Sequence, residues 1–471
     1  MPWATLYLLS EWSIRILMLV YVPQKRSAAA SRTWLLLIFL LPWPGLVLYA
    51  LFGRIYVPRH RIRMQARAVR HLNAVQDHLR SRVRAEPEIP PDLHPIVTLA
   101  TQMGDFPPFA GNQIELLTDY DGTIGRLVAD LDAARHQAHL LFYIFAPDKT
   151  GTRIIEALQR AATRGVRCRV MVDAVGSRPG LRKLRERLEK GGVEVLEALP
   201  VGLFRRNTAR FDLRNHRKLA VIDGRVAYTG SQNLVDPEFI PGCPNEELMV
   251  RVLGPVVAQL EGIFLADCSS ETGRPIREAD LSPEVAIAGR SIAQAIPSGP
   301  GYRCENARDL LLEMLYVARL RVVLVTPYFV PDEPVIMAIR SARRRGVEVT
   351  VVVPEQSNHP VTRLAQQSCY EDLLDTGVAI HLYRPRFLHA KHVTVDDHLA
   401  LIGSTNIDVR SFALNAELNL LVYDPAVVAG LRQVQAAYLA QSHRIEAAAW
   451  RRRPLASRVL QNIARLADSL L

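Results

Sequence analysis

Two apolar segments stand at the start of the chain. Residues 33–53 carry no charge, and this length matches the roughly 20 residues that a helix needs to cross a bilayer. The pattern predicts a spanning helix, kinked at its internal prolines, with a buried core helix as the alternative. Residues 3–22 are also apolar but contain Glu11 and Arg15. These side chains are four residues apart and can pair on one helical face, so this segment is predicted either to span the membrane or to lie in its interface.

The charges around these segments bear on their orientation. A cluster of arginines follows the second segment and favours a cytoplasmic position for the remainder of the chain. Its members are Arg54, Arg59, Arg61, Arg63, Arg67 and Arg70. Lys25, Arg26 and Arg32, between the two segments, favour the opposite orientation. Because the cluster after the second segment is larger, we expect the cytoplasmic position.

The hydrophobic pattern of the remaining chain occurs twice. An apolar run at 138–145 precedes a helical stretch ending in Arg-Gly-Val, and a second apolar run follows at 168–173. The same succession occurs around the apolar runs at 322–329 and 349–353. Strand, helix and strand in this order form a β-α-β unit, with a glycine suited to the end of each helix. The repeat predicts an α/β protein with two tandem α/β/α sandwich domains behind an N-terminal transmembrane hairpin.

These patterns divide the chain into six parts. We expect a membrane hairpin at 1–60, a basic helix and proline-rich linker at 61–108, domains at 109–275 and 301–445 with a linker at 276–300, and a basic amphipathic helix at 446–471. That helix has apolar residues at helical spacing, namely Leu455, Val459, Ile463, Leu466 and Leu470. It is predicted either to pack on the body or to lie on an anionic lipid surface.

A short constellation of polar residues occurs once in each half. It reads His-x-Lys-x4-Asp and, after a gap of six residues, Gly-Ser-x-Asn. The first copy contains His216, Lys218, Asp223, Ser231 and Asn233. The second copy contains His389, Lys391, Asp396, Ser404 and Asn406. Because the spacing within the two copies is identical, they predict one catalytic site divided between the two halves.

Histidine and lysine at this spacing suit phosphoryl chemistry. One histidine can attack phosphorus and form a phospho-histidine, while the other protonates the leaving oxygen and then deprotonates the incoming one. Alternation along a strand directs Lys218 and Lys391 to the same face as their histidines, where their charges can neutralise phosphate oxygens. The two motifs form the candidate catalytic set. Within it, we expect Asp223 and Asp396 to brace the motif loops rather than contact substrate.

The other polar positions have supporting roles. Ser231, Asn233, Ser404 and Asn406 follow sharp glycine turns and are predicted to donate hydrogen bonds to the substrate phosphate. Glu247 and Glu417 occur at corresponding places further along each half. Each is predicted to bind the far ring nitrogen of one histidine and to fix its tautomer. The sequence leaves open which glutamate orients which histidine.

The composition indicates which kinds of binding partner and cofactor to expect. The 471-residue chain has a formal net charge of +11, which favours an anionic partner, either nucleic acid or an acidic membrane surface. Its five cysteines are widely spaced and include no C-x2-C pair, so neither a disulfide framework nor a cysteine zinc site is predicted. The histidines show no metal-ligand spacing. We therefore expect no metal and no cofactor.

The paired motif resembles that of the phospholipase D superfamily, and within it the chain is most similar to bacterial membrane-anchored cardiolipin synthases. The resemblance runs through nearly the whole chain. Its segments are the N-terminal hairpin, Tyr143-Ile-Phe, Arg214-Asn-His-Arg-Lys218, Pro327-Tyr-Phe-Val-Pro331, Phe387-Leu-His-Ala-Lys391, Gly403-Ser-Thr-Asn406 and Arg410-Ser-Phe-Ala-Leu-Asn-Ala-Glu417.

This resemblance implies an enzyme of a bacterial inner membrane that joins two phosphatidylglycerol molecules into cardiolipin and releases glycerol. His216 would be the nucleophile and His389 the acid and base, by analogy with the superfamily. Another acceptor, such as water, phosphatidylethanolamine or a different alcohol, is the first alternative. A nuclease and a catalytically silent lipid-binding scaffold are further alternatives. The oligomeric state stays open.

Overall fold

The structure is a computed structural model of the chain. It describes residues 2–26, 28–53, 61–65, 67, 87–201, 212–238, 240–277, 286–302 and 304–466. The chain divides into two compact units, Met1–Val57 and Pro58–Leu471. Of the basic helix expected within 61–108, residues 61–65 are helical, whereas 68–86 lie outside the described residues.

The N-terminal unit consists of helices that pack on one another. It contains α1 (Pro2–Tyr21), α2 (Ala28–Leu40), α3 (Pro42–Leu48) and a π-helical turn at Tyr49–Gly53. Ile14, Ile38 and Tyr49 belong to its small core, whereas most of its other large apolar side chains are exposed. The Arg15 guanidinium lies 3.3 Å from the Glu11 carboxylate, which confirms the predicted pairing.

The two apolar segments differ in continuity. Residues Trp3–Tyr21 of α1 form one unbroken helix that is long and apolar enough to cross a membrane. The second segment is divided at Leu41, because Pro42 begins a new helix and has no N–H with which to continue α2. Among the described residues, its longest apolar helix is Ala30–Leu40. The prediction of one kinked span over 33–53 is therefore corrected to a broken pair of helices.

The larger unit is built on one mixed sheet of 15 strands. The first half contributes β1 (Phe109–Leu117), β2 (Gln137–Phe142), β3 (Arg167–Asp173), β4 (Glu194–Ala198), β5 (Lys218–Ile222), β6 (Val226–Gly230) and β8 (Met249–Leu253). The second half contributes β9 (Ser291–Ser298), β10 (Arg321–Val325), β12 (Glu348–Pro354), β13 (Ala379–Tyr383), β15 (His392–Val395), β16 (Leu399–Gly403), β18 (Glu417–Val422) and β19 (Ser442–Arg444). Two small ladders pair β7 (Asn245–Glu246) with β14 (Phe387–Leu388), and β11 (Phe329–Val330) with β17 (Ile407–Asp408).

The strand order shows the internal repeat. Read outward from the centre, the strands of the first half follow the order β1-β8-β6-β5-β2-β3-β4. Those of the second half, also read outward, follow the order β9-β18-β16-β15-β10-β12-β13-β19. The halves join where β1 and β9 pair antiparallel. Apart from the edge strand β19, the two halves follow the same order. The α/β prediction with one domain per half is confirmed.

Helices cover both faces of the sheet. Those of the first half and its approach are α4 (His94–Gly104), α5 (Tyr120–Ala133), α6 (Lys149–Thr163), α7 (Leu181–Lys190) and α8 (Val256–Thr272). Those of the second half are α9 (Asn306–Val317), α10 (Glu333–Arg344), α11 (Pro360–Ser368), α12 (Tyr370–Asp375), α13 (Val409–Ala413), α14 (Pro425–Ala440), α15 (Ala447–Arg451) and α16 (Leu455–Arg465). In the first half α5, α6 and α7 pack on one face and α8 on the other. In the second half α9 and α10 oppose α14 in the same way.

The expected linker at 276–300 differs from the structure, whereas the C-terminal helix follows one of its two predicted alternatives. Strand β9 lies within residues 276–300, which were expected to be a linker, because its residues are buried between β1 and β18. Helix α16 packs on α11 through Gln461 and Ala464, so the prediction of packing on the body is confirmed for this helix. Leu470 lies outside the described residues.

Candidate active site

The two motif histidines lie at corresponding places in the two halves, each near the carboxyl end of a parallel strand. His216 lies two residues before Lys218, the first residue of β5, which pairs with Phe142 at the end of β2. His389 lies just before β15, whose first residue pairs with Val325 at the end of β10. The carboxyl ends of parallel strands are where α/β proteins commonly bind ligands. Both histidines line one cavity of about 310 Å³ to which the two halves contribute.

Short backbone ladders cross between the halves at this cavity. The main-chain N–H of His216 donates to the carbonyl of Ala416 at 2.8 Å, and that of His389 donates to the carbonyl of Glu246 at 2.8 Å. Each histidine segment is therefore held against the glutamate segment of the other half. The ladder between β14 and β7 extends the second of these pairings.

Each histidine consequently binds the glutamate of the opposite half. The Nδ1 atom of His216 lies 3.0 Å from both carboxylate oxygens of Glu417. The Nδ1 atom of His389 lies 2.7 Å from Oε1 of Glu247. Because an ionised carboxylate only accepts hydrogen bonds, Nδ1–H is the donor in both pairs. This leaves Nε2 of each ring as the atom that can attack or exchange a proton.

Burial and charge act in opposite directions on these pairs. Burial lowers the pKa of His216 to about 4, although Glu417 partly offsets the effect. Burial likewise lowers the pKa of His389 to about 4. Burial alone would raise the pKa of each glutamate, but the facing histidine, one lysine and one serine hold the pKa of each below its usual range. The site therefore holds neutral imidazoles against ionised carboxylates near neutral pH.

The serines of the two motifs bind these glutamates rather than the cavity. Ser231 Oγ donates to Glu247 Oε2, and Ser404 Oγ donates to Glu417 Oε2. Each serine follows the last residue of its strand. The N–H of Ser231 donates to the carbonyl of Leu248, just before β8, which directs the hydroxyl at the adjacent glutamate. Both serines are fully buried. The prediction that they donate to the substrate phosphate is corrected to support of the orienting carboxylates.

The asparagines of the motifs do line the cavity. Asn233 and Asn406 occupy corresponding positions in its wall. The side-chain oxygen of Asn233 accepts a hydrogen bond from the N–H of Ile144 at 3.2 Å. Their position is compatible with the predicted contact to a phosphate.

The two lysines lie beneath the histidines. Lys218 Nζ donates to the carbonyl of His216 at 2.7 Å, and Lys391 Nζ donates to the carbonyl of His389 at 2.5 Å. Burial lowers the pKa of Lys218 to about 7 and that of Lys391 to about 8, with both glutamates opposing the shift. Neither side chain is exposed in the cavity wall.

The motif aspartates lie outside the cavity. The Asp223 carboxylate accepts the main-chain N–H groups of Arg135, His136 and Gln137 at 2.7–2.8 Å. Asp396 does the same with residues 319–321 at 2.7–2.9 Å. Both aspartates brace the start of a neighbouring strand, as expected. Their inclusion in the catalytic set is corrected, because four residues separate each aspartate from its lysine and each carboxylate is bound to main-chain N–H groups away from the cavity.

Other residues of the cavity wall were not predicted from the motifs. The ring of Tyr143 packs 4.9 Å from that of His216, and Tyr328 donates through its hydroxyl to Asn358 at 2.8 Å. Arg214 and Arg410 also line the cavity. The tyrosines follow matched strands of the two halves, which could have indicated their position. Among the described residues, no cluster of histidine, cysteine and carboxylates suits a metal ion.

Known proteins resemble the chain over nearly its whole length. A family model described as cardiolipin synthase with a phospholipase D-like domain matches residues 127–268 and 311–437. A phospholipase D-nuclease N-terminal model matches residues 13–54. Cardiolipin synthase A of Yersinia pseudotuberculosis serotype O:1b (strain IP 31758) is 35% identical over 469 residues, which cover 97% of this chain and 95% of the relative. Cardiolipin synthase A of Yersinia pestis matches with the same values.

A solved structure supports the fold independently. The phosphatidylserine synthase of Haemophilus influenzae Rd KW20 superposes with a TM-score of 0.59, covering 80% of this chain and 99% of that protein. Its sequence identity of 14% makes this a likeness of fold alone. The family model covers both halves of the sheet, and the Yersinia relatives match almost from end to end. This chain therefore belongs to the cardiolipin synthase family of phospholipase D-like proteins.

Proposed function

We propose that this chain is a cardiolipin synthase, which transfers a phosphatidyl group from one phosphatidylglycerol to another and releases glycerol. The observation that carries the proposal is the crossed arrangement of two histidines, each bound to a glutamate of the other half and both facing one cavity. Two groups with equivalent environments suit a reaction in which a phosphoryl group is taken up and then passed on. The 35% identity to cardiolipin synthase A of Yersinia supports the choice of lipid.

The first step forms a phosphatidyl-histidine. Nε2 of His216 attacks the phosphorus of the first phosphatidylglycerol, and the P–O bond to the glycerol headgroup breaks as the P–N bond forms. His389, protonated on Nε2, gives that proton to the leaving glycerol oxygen. The assignment of His216 as nucleophile follows the superfamily. Glu417 stabilises the positive charge that the phosphorylated ring carries.

The second step repeats the first in reverse with a new alcohol. The primary hydroxyl of a second phosphatidylglycerol occupies the place that glycerol has left. Nε2 of His389, now neutral, takes the hydroxyl proton while the oxygen attacks phosphorus and the P–N bond to His216 breaks. Cardiolipin leaves, and His389 retains the proton for the next turnover.

Charge makes this sequence possible in a buried site. A bound phosphodiester brings a negative charge between the rings, which favours protonation of His389 in spite of the burial that lowers its pKa. Lys218 and Lys391 offset the charge that builds on the phosphate oxygens. Asn233 and Asn406 donate hydrogen bonds to the same oxygens from the cavity wall.

We further propose that the protein resides in the bacterial inner membrane with its catalytic unit on the cytoplasmic side. The span Trp3–Tyr21 and the apolar helices that follow support a multi-pass hairpin. Helix α16 supports a second contact with lipid, since Leu460 and Ile463 on its outer face are 56% and 57% exposed. An exposed apolar helix face of this kind can lie in the interface of a phospholipid bilayer.

Product analysis tests the proposed function. Purified full-length protein in detergent is given phosphatidylglycerol alone, and cardiolipin, phosphatidic acid and free glycerol are measured over time. We expect cardiolipin and glycerol to rise in a ratio of one to one. The variant His216→Ala should form neither product, because no phosphatidyl-histidine can form.

The other outcomes are equally informative. Phosphatidic acid as the main product would identify water as the acceptor and contradict the synthase. Cardiolipin formation by His216→Ala at the wild-type rate would contradict the covalent mechanism. Conversion only when phosphatidylethanolamine is added would assign a different acceptor lipid.

A further inference from the structure

The catalytic centre is symmetric, but the cavity above it is not. The histidines, lysines, glutamates and motif asparagines occur as pairs related by the internal repeat. Arg214 and Arg410 line the cavity without such counterparts. Counting from the motif residues, the position of Arg214 is held by Phe387 in the second half, and that of Arg410 by Pro237 in the first. The two arginines therefore distinguish one side of the cavity from the other.

The charges of these two arginines are engaged differently. Arg214 is buried, and its Nη1 lies 3.1 Å from the Asp173 carboxylate, so its charge is compensated within the protein. Arg410 is half-buried, and its Nη2 donates to the main-chain carbonyl of Asp212 at 3.0 Å. Within the described part of the chain, Arg410 has no carboxylate close enough to form an ion pair. A neutral carbonyl therefore holds the guanidinium of Arg410 in place, and its positive charge is available to bind an anion.

The buried carboxyl of Asp408 lies near Arg410 but has another partner. Its Oδ1 accepts the main-chain N–H of Ser411 at 2.6 Å. Burial raises the pKa of Asp408 to about 6, and the charge of Arg410 reduces that rise. Asp408 therefore moderates the positive field of Arg410 without pairing with it.

The proposed reaction needs a second cation in its second step only. In the first step the cavity holds one phosphodiester, which lies between the paired histidines and above the paired lysines. In the second step the acceptor lipid brings its own phosphodiester, attached to the far end of the glycerol whose hydroxyl attacks. The paired histidines and lysines then already contact the phosphoryl group that is being transferred. The phosphodiester of the acceptor therefore needs a further cation, placed away from the paired residues.

We propose that Arg410 binds the phosphodiester of the acceptor phospholipid and so directs the phosphatidyl group to a lipid rather than to water or a small alcohol. This inference rests on the proposed function and names the acceptor subsite of the same cavity. Arg410 presents a planar fork of N–H donors, which suits bidentate recognition of phosphate. The segment that carries Arg410 also carries Asn406 of the phosphate-contacting set, so the two subsites adjoin along one stretch of chain.

A comparison of two reactions isolates this role. Wild-type protein and Arg410→Gln are assayed for cardiolipin formation from phosphatidylglycerol and for exchange of labelled glycerol into phosphatidylglycerol. Exchange uses both chemical steps, yet its acceptor carries no phosphate. We expect Arg410→Gln to lower cardiolipin formation about tenfold or more, the size of one charge-assisted hydrogen bond. Glycerol exchange should stay within about twofold of wild type, because its acceptor makes no contact with the lost charge.

Control variants keep the result decisive. Arg182→Gln removes an arginine whose side chain is 94% exposed on α7, and it should change neither reaction. Arg410→Lys should recover part of the cardiolipin activity, because the charge is kept while the fork is lost. Equal loss of both reactions in Arg410→Gln, or loss of neither, would overturn the proposal. Absence of cardiolipin with the wild-type protein would instead contradict the proposed function.

Discussion

The side chains of the site form two crossed sets that cannot work separately. Glu417 orients His216 and is itself held by Ser404, while Glu247 orients His389 and is held by Ser231. A carboxylate in this position fixes the tautomer and stabilises the imidazolium that forms during reaction. Since each set draws on both halves, neither half contains a complete histidine site.

A substitution of one glutamate tests this dependence. In Glu417→Gln the side chain keeps its size but loses the charge that stabilises the His216 imidazolium. Turnover should fall by roughly 10² to 10⁴-fold, the range seen when such carboxylates are neutralised. The measurement is the initial rate of cardiolipin formation.

Glu246→Gln is the matched control for that variant. Glu246 neighbours the equivalent glutamate of the other half, but its side chain faces Arg386 at 3.5 Å rather than a histidine. Its replacement should leave turnover near the wild-type rate. Comparable loss in both variants would mean that general charge, rather than orientation of the histidine, is responsible.

At the scale of elements, each motif is a hairpin anchored at both ends. Strand β5 begins at Lys218 in the site and ends beside Asp223, whose φ of +53° forms the turn into β6. Asp396 has the same role after β15, with a φ of +49°. The carboxylates bind the neighbouring strands β2 and β10 at their first residues. The aspartate of the motif therefore fixes the position of the strand that carries the lysine.

This role predicts a loss of stability rather than of chemistry. Asp223→Asn should destabilise the protein by about 1.5–3 kcal/mol, since hydrogen bonds to a charged acceptor are replaced by bonds to a neutral amide. Asparagine tolerates the positive φ, so the turn itself is not disturbed. The expected result is a lower apparent melting temperature with nearly unchanged turnover per folded molecule at a permissive temperature.

The comparison variant is Asp121→Asn, whose carboxylate is 83% exposed on α5. Its melting temperature should stay close to that of the wild type. If Asp223→Asn instead lost turnover while melting normally, Asp223 would have to act on the chemistry, contrary to its position.

At the scale of the whole molecule, one sheet runs through both halves and places the cavity where they meet. Helix α16 runs antiparallel to α11, since Arg458 lies 3.0 Å from Glu371 of α12, which follows α11 in the chain, and Ala464 packs near Ala365 of α11. The other end of α11 reaches Thr362 in the cavity wall. The exposed apolar face of α16 thus lies on the same flank of the unit as one wall of the cavity.

This arrangement predicts that α16 assists catalysis on bilayers but not in detergent. Leu460→Asp combined with Ile463→Asp should lower cardiolipin formation in phosphatidylglycerol vesicles by several-fold, because burial of each side chain in the lipid interface is worth about 1.5–3 kcal/mol. Activity in mixed detergent micelles should be unchanged. Both assays use the full-length protein.

Leu320→Asp serves as the control, because Leu320 is 62% exposed at the start of β10, away from the cavity. It should have no effect in either assay. Equal activity of the double variant and the wild type on vesicles would show that the outer face of α16 has no role at the lipid surface.

The sequence by itself determined the repeat, the α/β class and the two histidines and two asparagines that line the cavity. Strand and helix periods are local properties, and two motifs with identical spacing in one chain identify a divided site without any coordinates. The pairing of Glu11 with Arg15 was also predictable, because a helix brings residues four apart together. The helical break at Leu41 was only partly predictable, since a proline can kink a helix or end it.

Tertiary structure alone decided how the two halves combine. Which glutamate orients which histidine depends on ladders between segments 142 and 201 residues apart, and no local pattern encodes them. The direction of the Ser231 and Ser404 hydroxyls was decided in the same way, by the neighbouring strand that carries the glutamate. The same holds for Arg410, whose positive charge is available because its partner is the neutral main-chain carbonyl of Asp212. Contacts between distant segments form only when the chain packs, so spacing along the sequence can name the participants but not their partners.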